Sequence, residues 1–530
     1  MLAKTVKRFL LGKLLKQKKS KNGQAKPSYE EAILTRNLKD NLAYFKNVLG
    51  HSSDFIVREF NFGVGGNYKA ALIFLDDLVN KEIINESIIR PLMYELNVSS
   101  PKGLRGQKSL DFLLKRMVSV GEVTKTARID NLLNGCLYGE TIFLMDGFAE
   151  ALVFDTKGWQ HRKVEVSDTE VVVRGPREGF IEAITVNISL IRRKIRHPDL
   201  VIERMQIGEK THTLVAIAYI KSIASPGLVE EVKNRLRRIK TDAIMESGYI
   251  EQFIEDAPYS LFPTINSSEK PDVVAIKMLE GRVAILVDGT PMVLTVPMLF
   301  IEGFQTAEDY YFRPYYACFI RLLRLISFLI ALLAPAVYVA LTTYHQELIP
   351  TPLLFTIASA REGTPFPVAI EILLLGLFFE IIREAGVRLP RVIGGAISIV
   401  GVLVIGEEAV SAGLIGAPVV IIIALTALAT FVVTSFFDVI LLSRILLIFA
   451  AAALGGFGIG ALLLLILIHL VSLRSFGAPY FAPLAPLSLS GLKDSFVRFP
   501  LWAMNKRQEY ISHKNLKRQK SGQMPHPPRK

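Results

Sequence analysis

Apolar and polar positions divide this chain of 530 residues into stretches with different periodicities. Between residues 27 and 310, short apolar runs alternate with charged ones. Helical spacing is clearest at Ser28–Val48 and Gly227–Ile239. The run ALIFLDDLVNKEIINESIIRPLM, Ala71 to Met93, starts as a buried strand and ends as a helix. ETIFLMDGFAEALVFDTKG, Glu140 to Gly158, predicts two strands joined at Asp146-Gly147. DVVAIKMLEGRVAILVDGTPMVLTVP, Asp272 to Pro297, predicts strands punctuated at Glu280-Gly281 and Asp288-Gly289. Asp-Gly suits tight turns that need a positive φ. The expectation is a soluble α+β region, 27–310, in two subdomains with a boundary near 185–215.

Beyond it the polar alternation stops. A membrane-spanning helix needs about 20 apolar residues, and Ile320–Thr342 supplies them. Arg321 and Arg324 at its start are placed to snorkel to the inner surface. Pro365–Ile382 follows, then the short Gly-rich Val392–Ile405, then Leu414–Phe437 as a full span. Ile440–Leu473 exceeds one crossing at about 1.5 Å per residue, and GGFGIG, Gly455 to Gly460, is placed to break it into a hairpin. The pattern predicts an α-helical multi-pass membrane domain over 311–476. Four and six crossings both remain open, since Val392–Ile405 could instead re-enter where protein covers it.

Charge sharpens the topology. Residues 1–26 carry nine Lys/Arg and no acid, and residues 493–530 carry ten against Asp494 and Glu509. The net charge of +13 therefore belongs to the ends, a basic leader (1–26) and a basic tail (477–530). By the positive-inside rule both termini are expected in the cytoplasm, where they can also meet anionic lipid. No nucleic-acid-binding element is visible. The two cysteines, Cys136 and Cys318, form no CxxC, and the eight His show no metal spacing. GVGGNYK, Gly63 to Lys69, lacks the P-loop spacing, and no catalytic constellation stands out, so neither an enzyme nor a cofactor is expected.

Polar residues inside the apolar half are the candidate functional positions. Glu371 stands alone among apolar neighbours; it faces either the bundle interior or the outer interface beside Pro365-Phe366-Pro367. Glu380, Arg383, Glu384 and Arg388 share one helix face, and the last three read as charge pairs at a helix end. Thr426, Thr430 and Thr434 recur every four residues with Asp438, as a wet lining or as bonds to their own helix. Gly394, Gly395, Ser398 and Gly401 favour close helix contact and an oligomer.

PFPVAIEILLLGLFFEIIREAGVRLPRVIGGAISIVGVLVIGEEAVSAGLIGAP, Pro365 to Pro418, resembles the signature of the GerA-type A subunits of bacterial spore germinant receptors. EGRVAILVDGTPMVLTVPMLFIEGFQTAEDYY, Glu280 to Tyr311, and RGPREGF with NISLIRRKIR are similar to further blocks of that family. The resemblance covers about residues 27–500; Glu407 and Glu408 depart from it by their charge. It implies a spore inner-membrane protein with a large cytoplasmic N-terminal region. It also implies a transporter-like B subunit and a lipoprotein C subunit as partners, and a homo-oligomer acting as a nutrient-gated ion channel. A related A-like protein of the dipicolinate-channel operon shares the architecture. A secondary transporter and a non-conducting scaffold are the rival classes.

Overall fold

The computed structural model describes residues 32–63, 66–95, 122–158, 170, 172–388, 407–511, 515–520 and 522–525. The Gly-rich segment Val392–Ile405, with Gly394, Gly395, Ser398 and Gly401, and the basic leader lie outside them. The chain forms two compact units, one of residues 1–161 with 195–198, the other of 162–194 with 199–530.

In the first unit, helix α1 (Leu38–Leu49) precedes β1 (Phe55–Phe62) and β2 (Tyr68–Leu75). Two π-helical turns follow, at Ile83–Ile89 and Pro91–Glu95. Then come β3 (Val123–Thr126), α2 (Ile129–Leu137), β4 (Thr141–Met145) and β5 (Ala151–Phe154). The sheet is antiparallel in the order β1-β2-β4-β5-β3. Side chains alternate faces along a strand, and both faces are covered. Ala71, Ile73, Leu75, Ile142 and Leu144 pack under α1 and α2. Leu72, Phe74, Phe143 and Met145 pack under Ile84, Ile88 and Leu92 of the π-helical turns. Helix α1 begins later than its periodicity predicts, because Asn37 caps it by accepting from the Lys39 amide.

The second unit opens with α3 (Ile184–Lys194), β6 (Leu200–Ile207) and β7 (Thr213–Ile220). It continues with α4 (Pro226–Arg238), α5 (Ser247–Ile254), β8 (Asn266–Ser268) and α6 (Pro271–Leu279). Strands β9 (Val283–Val287) and β10 (Val293–Val296) complete the sheet, in the order β6-β7-β9-β10-β8. The expectation of strands throughout Asp272–Pro297 is corrected here. Pro271 at the first helical position starts α6, and only the two runs after it are strands.

The second sheet repeats the connectivity of the first, down to single hydrogen bonds. LYGETIFLMDG (137–147) corresponds to LEGRVAILVDG (279–289). Asp146 Oδ1 accepts from the Leu38 amide that starts α1; Asp288 Oδ1 accepts from the Ile184 amide that starts α3, each at 3.1 Å. Gly147 and Gly289, at φ of 86° and 90°, donate to Arg36 and Glu182 carbonyls, each at 2.8 Å. Buried Asn41 accepts from the Thr35 amide and donates to its carbonyl; buried Asn187 does the same to Ile181. In both sheets the hairpin turn and a buried amide lock the entry of the first helix.

Among the described residues, the longer helices that follow are α7 (Pro314–Thr343), α8 (Thr351–Arg361), α9 (Val368–Arg388), α10 (Ala417–Val432) and α11 (Phe437–Ser472). Helix α11 is a hairpin. At Gly455 φ is 61° and ψ −141°, a conformation open to glycine. A Cβ on Gly458 would sit 2.2 Å from the Ala450 carbonyl oxygen, although eight residues of straight helix span about 12 Å. The two ends of the hairpin meet again at one side chain. The Phe262 ring lies 6.4 Å from Phe436 and 6.3 Å from His469. The far end of α7 closes the turn, where the Tyr344 hydroxyl donates to the Ala452 and Ala453 carbonyls.

Where α11 begins and ends, an aromatic collar joins the bundle to the second sheet. Phe300 and Phe304 lie 5.1 and 5.2 Å from Phe436, and Phe304 lies 5.3 Å from Phe328 of α7. The chain after α11 folds back onto the collar rather than trailing away as a solvated tail. The Phe300 amide donates to the Tyr480 carbonyl at 2.9 Å, and Tyr480 and Ile511 are buried there.

Removing the Asn187 amide leaves both backbone groups of Ile181 without their partner, at a cost of about 2 kcal/mol. Asn187→Ala is therefore expected to lower the unfolding midpoint of the detergent-solubilised chain, and Asn41→Ala to cost a similar amount. Unchanged midpoints for both would contradict the locking role.

Candidate functional site

Helices α9, α10 and α11 carry the polar residues singled out by sequence, and their directions set the depth of each. Helix α10 runs toward the collar and ends at Val432, next to the 3-10 turn Thr434–Phe436. Its start at Gly416 therefore lies at the other end of the bundle. Helix α9 runs the same way, since the Arg383 guanidinium lies 3.7 Å from the ring centroid of Phe437 at the collar.

Glu371 is fully buried at the end away from the collar. Its Oε1 accepts from the Thr364 hydroxyl at 3.2 Å and its Oε2 from the Gly416 amide at 3.0 Å. Arg361 lies 3.7 Å from Oε1. The carboxylate thus faces the first free amide of α10, where helix dipole and unsatisfied N–H groups favour negative charge. Glu371 fastens α8, α9 and α10 together at one corner.

Glu380 sits deeper. Its Oε1 accepts from Arg444 Nη2 at 3.1 Å and its Oε2 lies 2.8 Å from Arg383. Arg444 is 8% exposed and stands seven residues into α11, about 10 Å above the collar. Glu384 and Arg388 form a pair at 2.7 Å on the exposed end of α9. The sequence reading placed Arg383 with that helix-end pair; the structure places it with Glu380 and Arg444.

The threonine line takes its self-bonding alternative at two of three positions. Thr426 and Thr430 are buried and donate to the carbonyls of Ile422 and Thr426, at 2.6 and 2.8 Å. Helix α10 has 16 residues and closes at Val432, short of the full span expected for Leu414–Phe437. Thr434 consequently falls on the following turn, exposed and off the helix face.

A second charge cluster lies at the near end of α7, where sequence predicted snorkelling. Arg321 is 1% exposed; its Nε donates to Asp309 at 2.8 Å and its Nη1 to Asp494 at 2.9 Å. Arg324 also donates to Asp309, at 2.8 Å. Tyr310 donates to Asp494 at 2.7 Å, and burial, with the Asp494 charge behind it, pushes its phenol well above the usual range. Sequence reasoning missed Arg444, Arg361, Asp309 and Asp494 as partners. One signal was available for Arg444: it is the single charged residue between Asp438 and His469, and a lone cation in such a run needs an acid from elsewhere.

A sequence profile of the Bacillus/Clostridium GerA spore germination protein family matches residues 43–510. The chain belongs to the GerA spore germination protein family. Spore germination protein KA of Bacillus subtilis (strain 168) is 45% identical, over 93% of this chain and 90% of its own. Spore germination protein GerLA of Bacillus cereus is 40% identical over 91% and 97%. Among solved structures, the N-terminal domain of the A subunit of the Bacillus megaterium spore germinant receptor GerK3 is similar. It is 35% identical and covers 51% of this chain and 98% of that one, with a TM-score of 0.40.

Leaving a buried Arg without its acid costs about 3–5 kcal/mol, whereas replacing the whole pair by apolar groups of like volume costs much less. Glu380→Met is expected to destabilise the GerA-family chain strongly, and adding Arg444→Met to recover most of the loss. Unfolding midpoints in detergent for the two single variants and the double variant check this. Additive losses would contradict a direct pair.

Proposed function

We propose that this GerA-family chain is the A subunit of a spore germinant receptor. In this reading it is a multi-pass protein of the spore inner membrane, non-enzymatic, with both termini on the core side. The observation that carries the membrane reading is the bundle itself. Two helices pass the length and hydropathy expected of a membrane span, Pro314–Thr343 and the hairpin region Thr434–Ser472. Each arm of the hairpin rises about 26 Å, close to a bilayer's hydrocarbon thickness of about 30 Å. The outer wall of the bundle is apolar, with Leu428, Phe449, Phe457 and Leu465 more than half exposed. The soluble residues before α7 and after α11 both meet the collar, so the crossings are even in number, and six is the count we favour.

The same geometry bears on conduction. Glu371, Glu380, Thr426 and Thr430 are engaged within one copy, in helix-to-helix contacts or in bonds to their own helix. A water path for ions would therefore form between copies, as in an oligomeric channel. A transporter-like B subunit that recognises the nutrient and a lipoprotein C subunit complete the proposed receptor. The nutrient's differential affinity for two arrangements of the complex would drive the gate.

Co-reconstitution of the three subunits in liposomes tests this. A nutrient mixture is expected to trigger rapid cation efflux, read by a fluorescent dye. The efflux is expected to survive Thr430→Val, whose hydroxyl only bonds its own helix, and to fail in Glu380→Met. Slow, coupled exchange would indicate a transporter, and no flux a scaffold; either result would contradict the channel.

A further inference from the structure

On the sheet side of the collar, the second unit holds a half-open cavity of about 690 Å³, within the size range of small-molecule sites. None of the candidate membrane charges lies in it. Its walls come from β8 and α6, from the turn that precedes α7, and from the C-terminal segment. Thr434 and Ser435, the link between α10 and α11, complete them.

The chemistry of the cavity is cationic. Seven Lys and Arg line it against five acids. Three of these residues form one tightly paired cluster. Lys277 Nζ lies 3.0 Å from Glu302 Oε2, and Arg282 Nη2 donates to Glu302 Oε1. Only 14%, 4% and 4% of the Lys277, Arg282 and Glu302 side chains are exposed. One carboxylate thus answers two cations. Glu302 is already committed to both, and it also accepts from the Leu299 amide at 3.2 Å. Burial pulls the Lys277 ammonium below its ordinary range despite the attraction of Glu302, with Arg282 adding to the effect. Glu170 adds a weaker attraction, felt by Lys277 and by buried Lys270, so three cations of this wall share two acids. Burial raises the Glu170 carboxyl, which is engaged by the Ser268 hydroxyl at 3.0 Å. Desolvated positive charge without a matching anion is costly, and an anionic group placed here would gain charge-assisted hydrogen bonds. Lys493 and Lys506 of the C-terminal segment line the same space.

We propose that this cavity binds a small carboxylate- or phosphate-bearing anion, which braces the Thr434–Ser435 link against the second sheet and the C-terminal segment. The bound anion joins the one connection between α10 and α11 to the soluble part of the same unit. It is a ligand site on the sheet side of the collar, independent of nutrient recognition and of whether the bundle conducts. Two sources share the chemistry: a soluble anion, or the headgroup of an anionic lipid at the bilayer surface.

Thermal unfolding of the purified full-length chain decides. In neutral detergent, citrate and inorganic phosphate are compared with chloride at matched ionic strength. At saturation, the midpoint is expected to rise by about 2 °C or more for a bound anion. Lys277→Gln should abolish the rise, and Lys506→Gln should shift the concentration needed upward by about tenfold, the weight of one charged contact. Nanodiscs of phosphatidylglycerol against phosphatidylcholine, in chloride alone, form the second arm. A rise confined to phosphatidylglycerol and lost in Lys506→Gln supports a lipid headgroup as the source. Equal midpoints in all anions and both lipids would overturn the site, as would a concentration dependence unchanged in Lys506→Gln, even if Lys277→Gln fails to fold.

Discussion

A guanidinium with 1% of its surface exposed must find its counter-charges inside the protein. Arg321 finds Asp309 twelve residues before it and Asp494 long after the last helix. That one group fixes the register of the first long helix against both the turn that leads into it and the segment that returns from the bundle. The aromatic collar of Phe300, Phe304, Phe328 and Phe436 packs beside this ionic joint. The bundle therefore begins and ends on one rigid seam, and the depth of every other polar residue is measured from it.

The charges farther into the bundle follow the same rule. Glu371 answers the start of α10, and Glu380 answers Arg444. Neither stands without a partner in the apolar interior, and each ties helices distant in sequence. Burying such pairs contributes little net stability compared with apolar packing. Their value lies in allowing one arrangement of helices and penalising the others.

Much of this was legible in the sequence, and the failures share a cause. Apolar runs located the bundle, Asp146-Gly147 and Asp288-Gly289 located two hairpins, and GGFGIG located the reversal at Gly455. Periodicity reports only a residue's own element. It could not show that Arg444 belongs with Glu380, 64 residues away, or Arg321 with Asp494, 173 away. The strand reading of Asp272–Leu279 failed because a short apolar run looks alike in a buried helix and a buried strand. Of the threonine line, Thr426 and Thr430 follow the self-bonding alternative, and Thr434 alone leaves the face, because nothing in the spacing marks the end of α10 at Val432. The repeat between the two sheets hid in plain view. It survives in the sequence as eleven residues around each Asp-Gly turn, and its buried asparagines, Asn41 and Asn187, carry no periodic signal.

The account stands or falls on the hairpin and the collar lying on opposite faces of a membrane. Single cysteines at Gln346, beside the hairpin turn, and at Ser435, beside the collar, placed in a chain lacking Cys136 and Cys318, can be labelled in sealed vesicles with an impermeant maleimide. Labelling of one position before lysis and of the other only after lysis is the predicted result. Equal labelling of both before lysis, or of neither, would contradict the bundle as a membrane-crossing unit.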